Sequence, residues 1–167
     1  MFLNKRKIIY VISILILIFL FTYEDVKSQE VKVIDGDTIN VHGLRVRFSG
    51  IDAPESNYKS KEQTCLINEN VIPCGEISKK FLIDLINNEQ VTCKKNKKRD
   101  PYNRILGECF INGESISRIM VKNGYAFDYP KYSKEKFAKE QKYAKENKLG
   151  LWSMNFIFPW NFRDQNR

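Results

Sequence analysis

The chain has 167 residues, with 28 Lys+Arg against 20 Asp+Glu for a formal charge of +8, and is long enough for one domain with a sizeable core plus additions. The basic balance, with 13% aromatic residues, favours a polyanionic partner, because clustered Lys and Arg on phosphates release counterions. A single histidine and the lack of any Cys-x-x-Cys pair argue against a zinc site and against histidine-based acid–base chemistry.

The first 28 residues read as a leader rather than as part of the fold. Lys5-Arg6-Lys7 forms a positive start, and Ile8 to Phe21 is apolar except for Ser13. Extended to Tyr23, the apolar run is 16 residues, short of the ~20 that span a bilayer untilted. Residues 1–28 are therefore expected to be a signal peptide cleaved after Ser28, with a retained membrane anchor as the rival. Either way the segment engages a membrane, and the remainder is expected outside the cytoplasm, since positive charge stays inside.

Next, Glu30 to Ile34 and Thr38 to Val41 read as strands around Asp35-Gly36-Asp37. His42-Gly43 is a hairpin turn, and Leu44 to Ile51 alternates in strand fashion until Pro54. Residues 56–73 read as a loop. Helical spacing of Ile77, Phe81, Leu82, Leu85 and Ile86 predicts a helix from Gly75 to Asn87. Val91 to Lys94 and Ile105 to Ile111 read as strands separated by a basic loop, Lys95 to Arg104. After the Asn112-Gly113 turn, Ser115 to Asn123 is a helix ended by Gly124, and Ser133 is placed to cap a third helix running to Lys148. Early strands followed by helices make the fold class α+β. The domain is expected over residues 29–153, with 154–167 a C-terminal extension.

Four cysteines agree with export and allow three pairings. Cys65 and Cys74 bracket a short loop, while Cys93 and Cys109 lie in the two strand-like runs either side of the basic loop. The expected bridges are Cys65–Cys74 and Cys93–Cys109.

The chemistry concentrates between residues 35 and 55. Asp37 and Asp52 offer oxygen ligands of the kind Ca²⁺ prefers. Arg47 and Arg104 can each fork two N–H groups onto phosphate oxygens. Glu55 is left as a candidate base for water. Each short motif alone is ordinary turn or loop chemistry; their occurrence together and in order is not. Lys94, Lys95, Lys97, Lys98 and Arg99 form the densest basic run, a solvated loop that would also steer nucleic acid.

Val33-Ile34-Asp35-Gly36-Asp37-Thr38 and Val46-Arg47-Phe48-Ser49-Gly50-Ile51-Asp52-Ala53-Pro54-Glu55 together resemble the staphylococcal nuclease (thermonuclease) family. The likeness continues through Asp100-Pro101-Tyr102-Asn103-Arg104 and Asn123-Gly124-Tyr125-Ala126, and ends at Leu149-Gly150-Leu151-Trp152. Phe158-Pro159-Trp160-Asn161-Phe162-Arg163 resembles an extension found in secreted bacterial members.

The resemblance implies a five-stranded OB-type β-barrel with three helices. It implies Ca²⁺ held by Asp37, Asp52 and the backbone carbonyl of Ala53, where the family often has threonine, with Asp35 a supporting carboxylate nearby. Glu55 would orient a water or take its proton, and Arg47 and Arg104 would hold the phosphate. Tyr102 matches a substrate-binding position, and Tyr129 and Tyr132 are candidates for contacting phosphate or base.

The implied activity is that of an exported, Ca²⁺-dependent, sugar-nonspecific endonuclease. It would hydrolyse DNA and RNA as a monomer and leave 3′-phosphate ends. The rivals are a catalytically silent nucleic-acid-binding barrel at the cell surface and a structural envelope domain with no affinity for polyanions. A silent relative should lack one of Asp37, Arg47, Asp52, Glu55 or Arg104, and all five are present.

Overall fold

The computed structural model describes residues 31–87, 89–100 and 102–167, so the expected leader, residues 1–28, lies outside the described residues. Three strands open the fold as an antiparallel meander: β1 (Val31–Asp35), β2 (Thr38–Val41) and β3 (Leu44–Phe48). His42 and Gly43 take φ of 50° and 80°, the two positive values that a two-residue primed turn needs to match strand twist. The strand expected to reach Ile51 instead breaks at Ser49-Gly50. Gly50 adopts φ 82°, and a Cβ there would sit 3.1 Å from the Ser133 backbone, so only glycine makes this corner. The chain resumes as β4 (Ile51–Asp52).

The expected loop 56–73 contains a hairpin, β5 (Cys65–Ile67) and β6 (Asn70–Ile72), turning on Asn68-Glu69 with both φ positive. A disulfide between Cys65 and Cys74 closes it. The helix α1 (Cys74–Ile86) follows, one residue from the expected bounds, with Leu82 and Ile86 buried. Strand β7 (Val91–Arg99) runs through most of the segment expected as a basic loop. Its partner β8 (Ile105–Ile111) supplies backbone hydrogen bonds along it, with an irregularity between Lys95 and Arg99.

In β8 the residues Ile105, Gly107, Cys109 and Ile111 are buried in strict alternation, the signature of a strand with one face on a core. Asn112-Gly113 turns the chain into β9 (Glu114–Ser115) and then α2 (Ile116–Lys122). After β10 (Phe127–Asp128) come α3 (Pro130–Ser133) and α4 (Ala138–Glu146).

The single helix expected from Ser133 to Lys148 is therefore two. Lys134 and Glu135 take left-handed φ values of 54° and 63°, and the Ser133 hydroxyl accepts the Glu135 N–H at 2.9 Å instead of capping a long helix. A 3₁₀ turn (Gly150–Ser153) and α5 (Pro159–Gln165) complete the described chain. Five α-helices stand among the described residues where three were expected.

The main sheet has the order β1-β2-β3-β8-β7, with β9 added beside β8. Among the described residues only the β3–β8 pair is parallel, and β4 pairs separately with β10. The hydrogen-bonded path does not close from β7 back to β1 among the described residues. The architecture is α+β with an OB-like mixed sheet. Its main core joins Ile39, Val46 and Phe48 of the sheet to Leu82, Met120 and Phe137 of the helical layer. A second core gathers Phe127 and Leu151 with the Cys65–Cys74 bridge, and Trp152, Phe156, Phe158 and Trp160 pack against it. Residues 154–167 are thus sewn onto the domain: Leu66 and Asn155 exchange backbone hydrogen bonds at 2.9 Å each way.

Both expected disulfides are present. Cys93 faces Cys109 directly across β7 and β8, at a sequence separation of 16. Replacing this pair by alanine is expected to lower stability by about 3 kcal/mol, the entropy of closing a loop of that length in the unfolded chain. Urea unfolding of the oxidised double variant against the parent checks this, and a change under about 1 kcal/mol would remove the loop-closure account.

Candidate active site

Strand register brings the acidic residues together. The β2–β3 pairing sets Thr38 opposite Arg47, so the Arg47 side chain reaches both Asp37, at the β1–β2 turn, and Asp52, at the end of β4. Arg47 donates from one Nη to Asp37 Oδ2 at 2.6 Å and from the other to Asp52 Oδ1 at 2.6 Å. Asp37 also accepts the Ala53 N–H at 2.8 Å and the Thr38 hydroxyl at 2.9 Å, which ties the first turn to the end of β4. Asp52 is fully buried, and the Arg47 side chain keeps only 11% of its exposure.

Glu55 follows Pro54 on the exit from β4. Its backbone N–H donates to the side chain of Gln63, itself fully buried, at 3.2 Å. Gly75, in the first turn of α1, lies so close that a Cβ would come within 2.1 Å of the Glu55 carbonyl oxygen. Asp35 stands behind, accepting the backbone N–H groups of Gly36 at 2.9 Å and Ser56 at 3.3 Å.

The electrostatics follow from crowding negative charge in a poorly solvated place. Burial, reinforced by Asp37 and Glu55, pushes the Asp35 carboxyl up to about 7. Burial also raises Glu55, with Asp37 adding to it and Arg163 opposing. Asp52 is raised by burial against the pull of Arg47 and Arg163.

That third partner, Arg163, is the residue that the sequence reading missed. From α5 its two Nη groups grip both Asp52 oxygens, at 3.1 and 2.6 Å, and one also donates to Glu55 Oε1 at 2.5 Å. Desolvation works against its charge, but the bonds to Asp52 and Glu55 outweigh it and strengthen its hold on the proton. The cue in the chain is the arginine closing Phe158-Pro159-Trp160-Asn161-Phe162-Arg163, a stretch whose resemblance to an extension of secreted members carried no site role.

Arg104 stands apart from this cluster. Its Nε donates to Asp100 Oδ2 at 2.6 Å, and its guanidinium lies 5.3 Å from the centre of the Tyr102 ring. Partial burial works against the Asp100 carboxylate, yet the backbone and side-chain hydrogen bonds from Arg104 hold it below the usual range. Among the described residues Arg104 makes no hydrogen bond or ion pair with Asp37, Asp52 or Glu55. Tyr102 and Tyr132 are 73% and 65% exposed, open to a ligand. Tyr129 is not free in the same way: it stacks on Trp160 at 4.9 Å and meets Tyr132 edge-on. His42 occupies its hairpin turn and takes no part in the cluster.

The donor set suits a hard cation. It offers only oxygen ligands, and its four carboxylates outnumber the two guanidiniums in contact with them. Among the described residues, however, no three acidic, His or Cys side chains form a ready-made ligand set, and Arg47 and Arg163 take up lone pairs of Asp37, Asp52 and Glu55.

Fold and site thus define a class: an OB-like α+β domain carrying an acidic cluster threaded with arginines. Comparison with known proteins sharpens it. A family profile described as "Staphylococcal nuclease homologue" matches residues 45–154. The chain is 30% identical over 168 residues to a micrococcal nuclease of Shigella flexneri, covering 90% of this chain and 88% of that protein. It is 31% identical to an uncharacterized endonuclease of Escherichia coli, over 89% and 94% of the two lengths. It is also 34% identical to the succinoglycan biosynthesis protein ExoI of Rhizobium meliloti, over 74% of this chain and 63% of that protein. The chain belongs to the staphylococcal nuclease family.

Removing Arg104 checks whether the Asp100–Arg104 turn serves the site. Arg104→Ala is expected to lower turnover and also to weaken nucleotide binding, because a phosphate contact acts in the ground state as well as the transition state. Unchanged kcat and KM would confine Arg104 to bracing Asp100.

Proposed function

We propose that this protein is an exported, Ca²⁺-dependent nuclease that hydrolyses internal phosphodiester bonds of DNA and RNA without regard to the sugar. The observation that carries the reading is the convergence of Asp37 and Asp52 on Arg47, with Glu55 joined to Asp52 through Arg163. Family membership and the named nucleases among its relatives support it. The leader-like residues 1–28 support export.

Asp37 and Asp52 would hold Ca²⁺, with the carbonyl of Ala53 as a further oxygen; a backbone ligand is indifferent to the side chain at that position. When bound, the ion supplies positive charge that draws the phosphate and offsets charge developing on its oxygens. Arg47 donates to a non-bridging phosphate oxygen. Arg104 adds a second donor from the basic segment, and exposed Tyr102 and Tyr132 offer faces for the flanking bases. Tyr129 supports Tyr132 through their edge-on contact. Glu55 accepts the proton of the attacking water, in a setting whose burial raises its affinity for that proton. In-line attack expels the 5′-oxygen and leaves a 3′-phosphate.

The test is digestion of single-stranded DNA and of RNA by the purified protein, with Ca²⁺ titrated in and then chelated. The expected result is cleavage of both that appears with Ca²⁺, stops with chelator and leaves 3′-phosphate ends. Binding without cleavage at any Ca²⁺ level would make the protein a silent nucleic-acid-binding domain instead.

A further inference from the structure

We propose that Arg163 is an internal cation, anchored on Glu55, that competes with the divalent metal for Asp52, so that the C-terminal helix sets the metal affinity of the site. The inference rests on the reading of the site as a metal-dependent nuclease centre, and extends it to a residue from outside the family-matched segment, which ends at 154.

The geometry points to exchange rather than coexistence. A carboxylate offers about four lone-pair positions. Asp52 spends three of them, one on Arg47 and two on the Nη groups of Arg163. Glu55 is turned toward the same guanidinium at 2.5 Å. A cation that takes Asp52 as a ligand therefore has to draw on the oxygens Arg163 holds, and like charges a few ångströms apart in a buried site repel strongly.

The seat of Arg163 is built, not incidental. Trp160 stacks on Phe158 at 4.5 Å and on Tyr129 at 4.9 Å, and Phe162 is buried. Gln63, whose Oε1 accepts the Glu55 N–H, donates from Nε2 to the Ile157 carbonyl at 2.8 Å, so one buried side chain spans Glu55 and the extension. These contacts fix α5 while leaving the Arg163 side chain 22% exposed. The guanidinium can swing to solvent on its own torsions without undocking the helix. Freed there, it stands beside the site as a further donor for phosphate.

Competition of this kind is reciprocal, since whatever the metal loses to Arg163, Arg163 loses to the metal. The test is Ca²⁺ binding by calorimetry, without nucleic acid, to the full chain and to its Arg163→Ala and Arg163→Gln variants. Both variants are expected to bind Ca²⁺ about tenfold tighter or more, within the usual range of coupling between sites. A second measurement uses the unaltered protein: arginine-labelled NMR should show hindered rotation of the Arg163 guanidinium without Ca²⁺ and free rotation with it. Equal or weaker Ca²⁺ binding by the variants, or a guanidinium that stays locked on addition of Ca²⁺, overturns the exchange while cleavage remains Ca²⁺-dependent. Cleavage indifferent to Ca²⁺ would instead remove the metal reading itself, and this inference with it.

Discussion

Glu55→Gln is expected to lower turnover by about 10²-fold or more while leaving nucleotide affinity nearly intact. Glutamine keeps the size of the side chain and an oxygen that can accept from Arg163, so the local packing has no reason to change. The backbone of residue 55 is fixed independently, by Gln63 at 3.2 Å and by the close approach of Gly75. What disappears is one of the two carboxylates that the proposed ligand set leaves over; the other, Asp35, stands behind with its Oδ1 taken by the Gly36 and Ser56 N–H groups. Burial and the charge of Asp37 raise its proton affinity above that of a solvated glutamate, which increases the driving force for taking a proton from water. The split between parameters matters more than the size of the fall. A drop in kcat with KM unchanged marks an interaction made in the transition state. Parental turnover in the variant would show that Glu55 is not the base, even with fold and metal dependence intact.

How much of this could be read from the chain depends on the distance over which each feature is determined. The turns at His42-Gly43 and Asn112-Gly113 were legible because two residues with positive φ decide them locally. Arg47 and Asp52 were legible as a pair only through the motif they share; five residues of unbroken strand would set them on opposite faces, and the corner at Ser49-Gly50 is what brings them together. The split of the third helix was not. Its second half starts where Asp128, nine residues earlier, accepts the Phe137 N–H at 3.4 Å, while Gln141 returns a side-chain acceptor to the Asp128 N–H at 2.9 Å. That reciprocal contact overrides the good cap residue at Ser133, and no local pattern announces it. Residues 56–73 looked like a loop because strands of three residues are too short to show alternation. Closure of the sheet was a family expectation that the described hydrogen bonds do not complete. Arg163 lay furthest from reach. Its partners are 111 and 108 residues away, and an arginine in an aromatic tail has the same local appearance whether it faces solvent or a carboxylate pair.

Asp52→Ala is expected to destabilise the protein by about 3 kcal/mol, because it leaves buried guanidinium charge without its main partner. Two effects oppose each other here. Asp52 is itself held in an unfavourable place, with burial and the neighbouring Asp37 raising its proton affinity, so its removal relieves some repulsion. Against that, Arg47 keeps only Asp37 in a nearly enclosed place, whereas Arg163 keeps Glu55 and can turn to solvent, so the cost falls on Arg47. Losing a partner in such a place outweighs the relief, since an uncompensated buried charge is worse than a crowded but paired one. Asp52→Asn sharpens the point: its amide NH₂ would face an arginine donor in either orientation, Arg163 alone at the Oδ2 position or both arginines at Oδ1, and the charge is lost, so an isosteric change should recover little of the lost stability. Urea unfolding in chelator measures the fall, and repeating it with saturating Ca²⁺ tests the ligand role. The parent should gain stability from the ion through preferential binding to the folded state, whereas neither Asp52 variant should. A variant as stable as the parent, or one that still gains from Ca²⁺, would place the weight of the cluster on Asp37 and leave Asp52 a spectator.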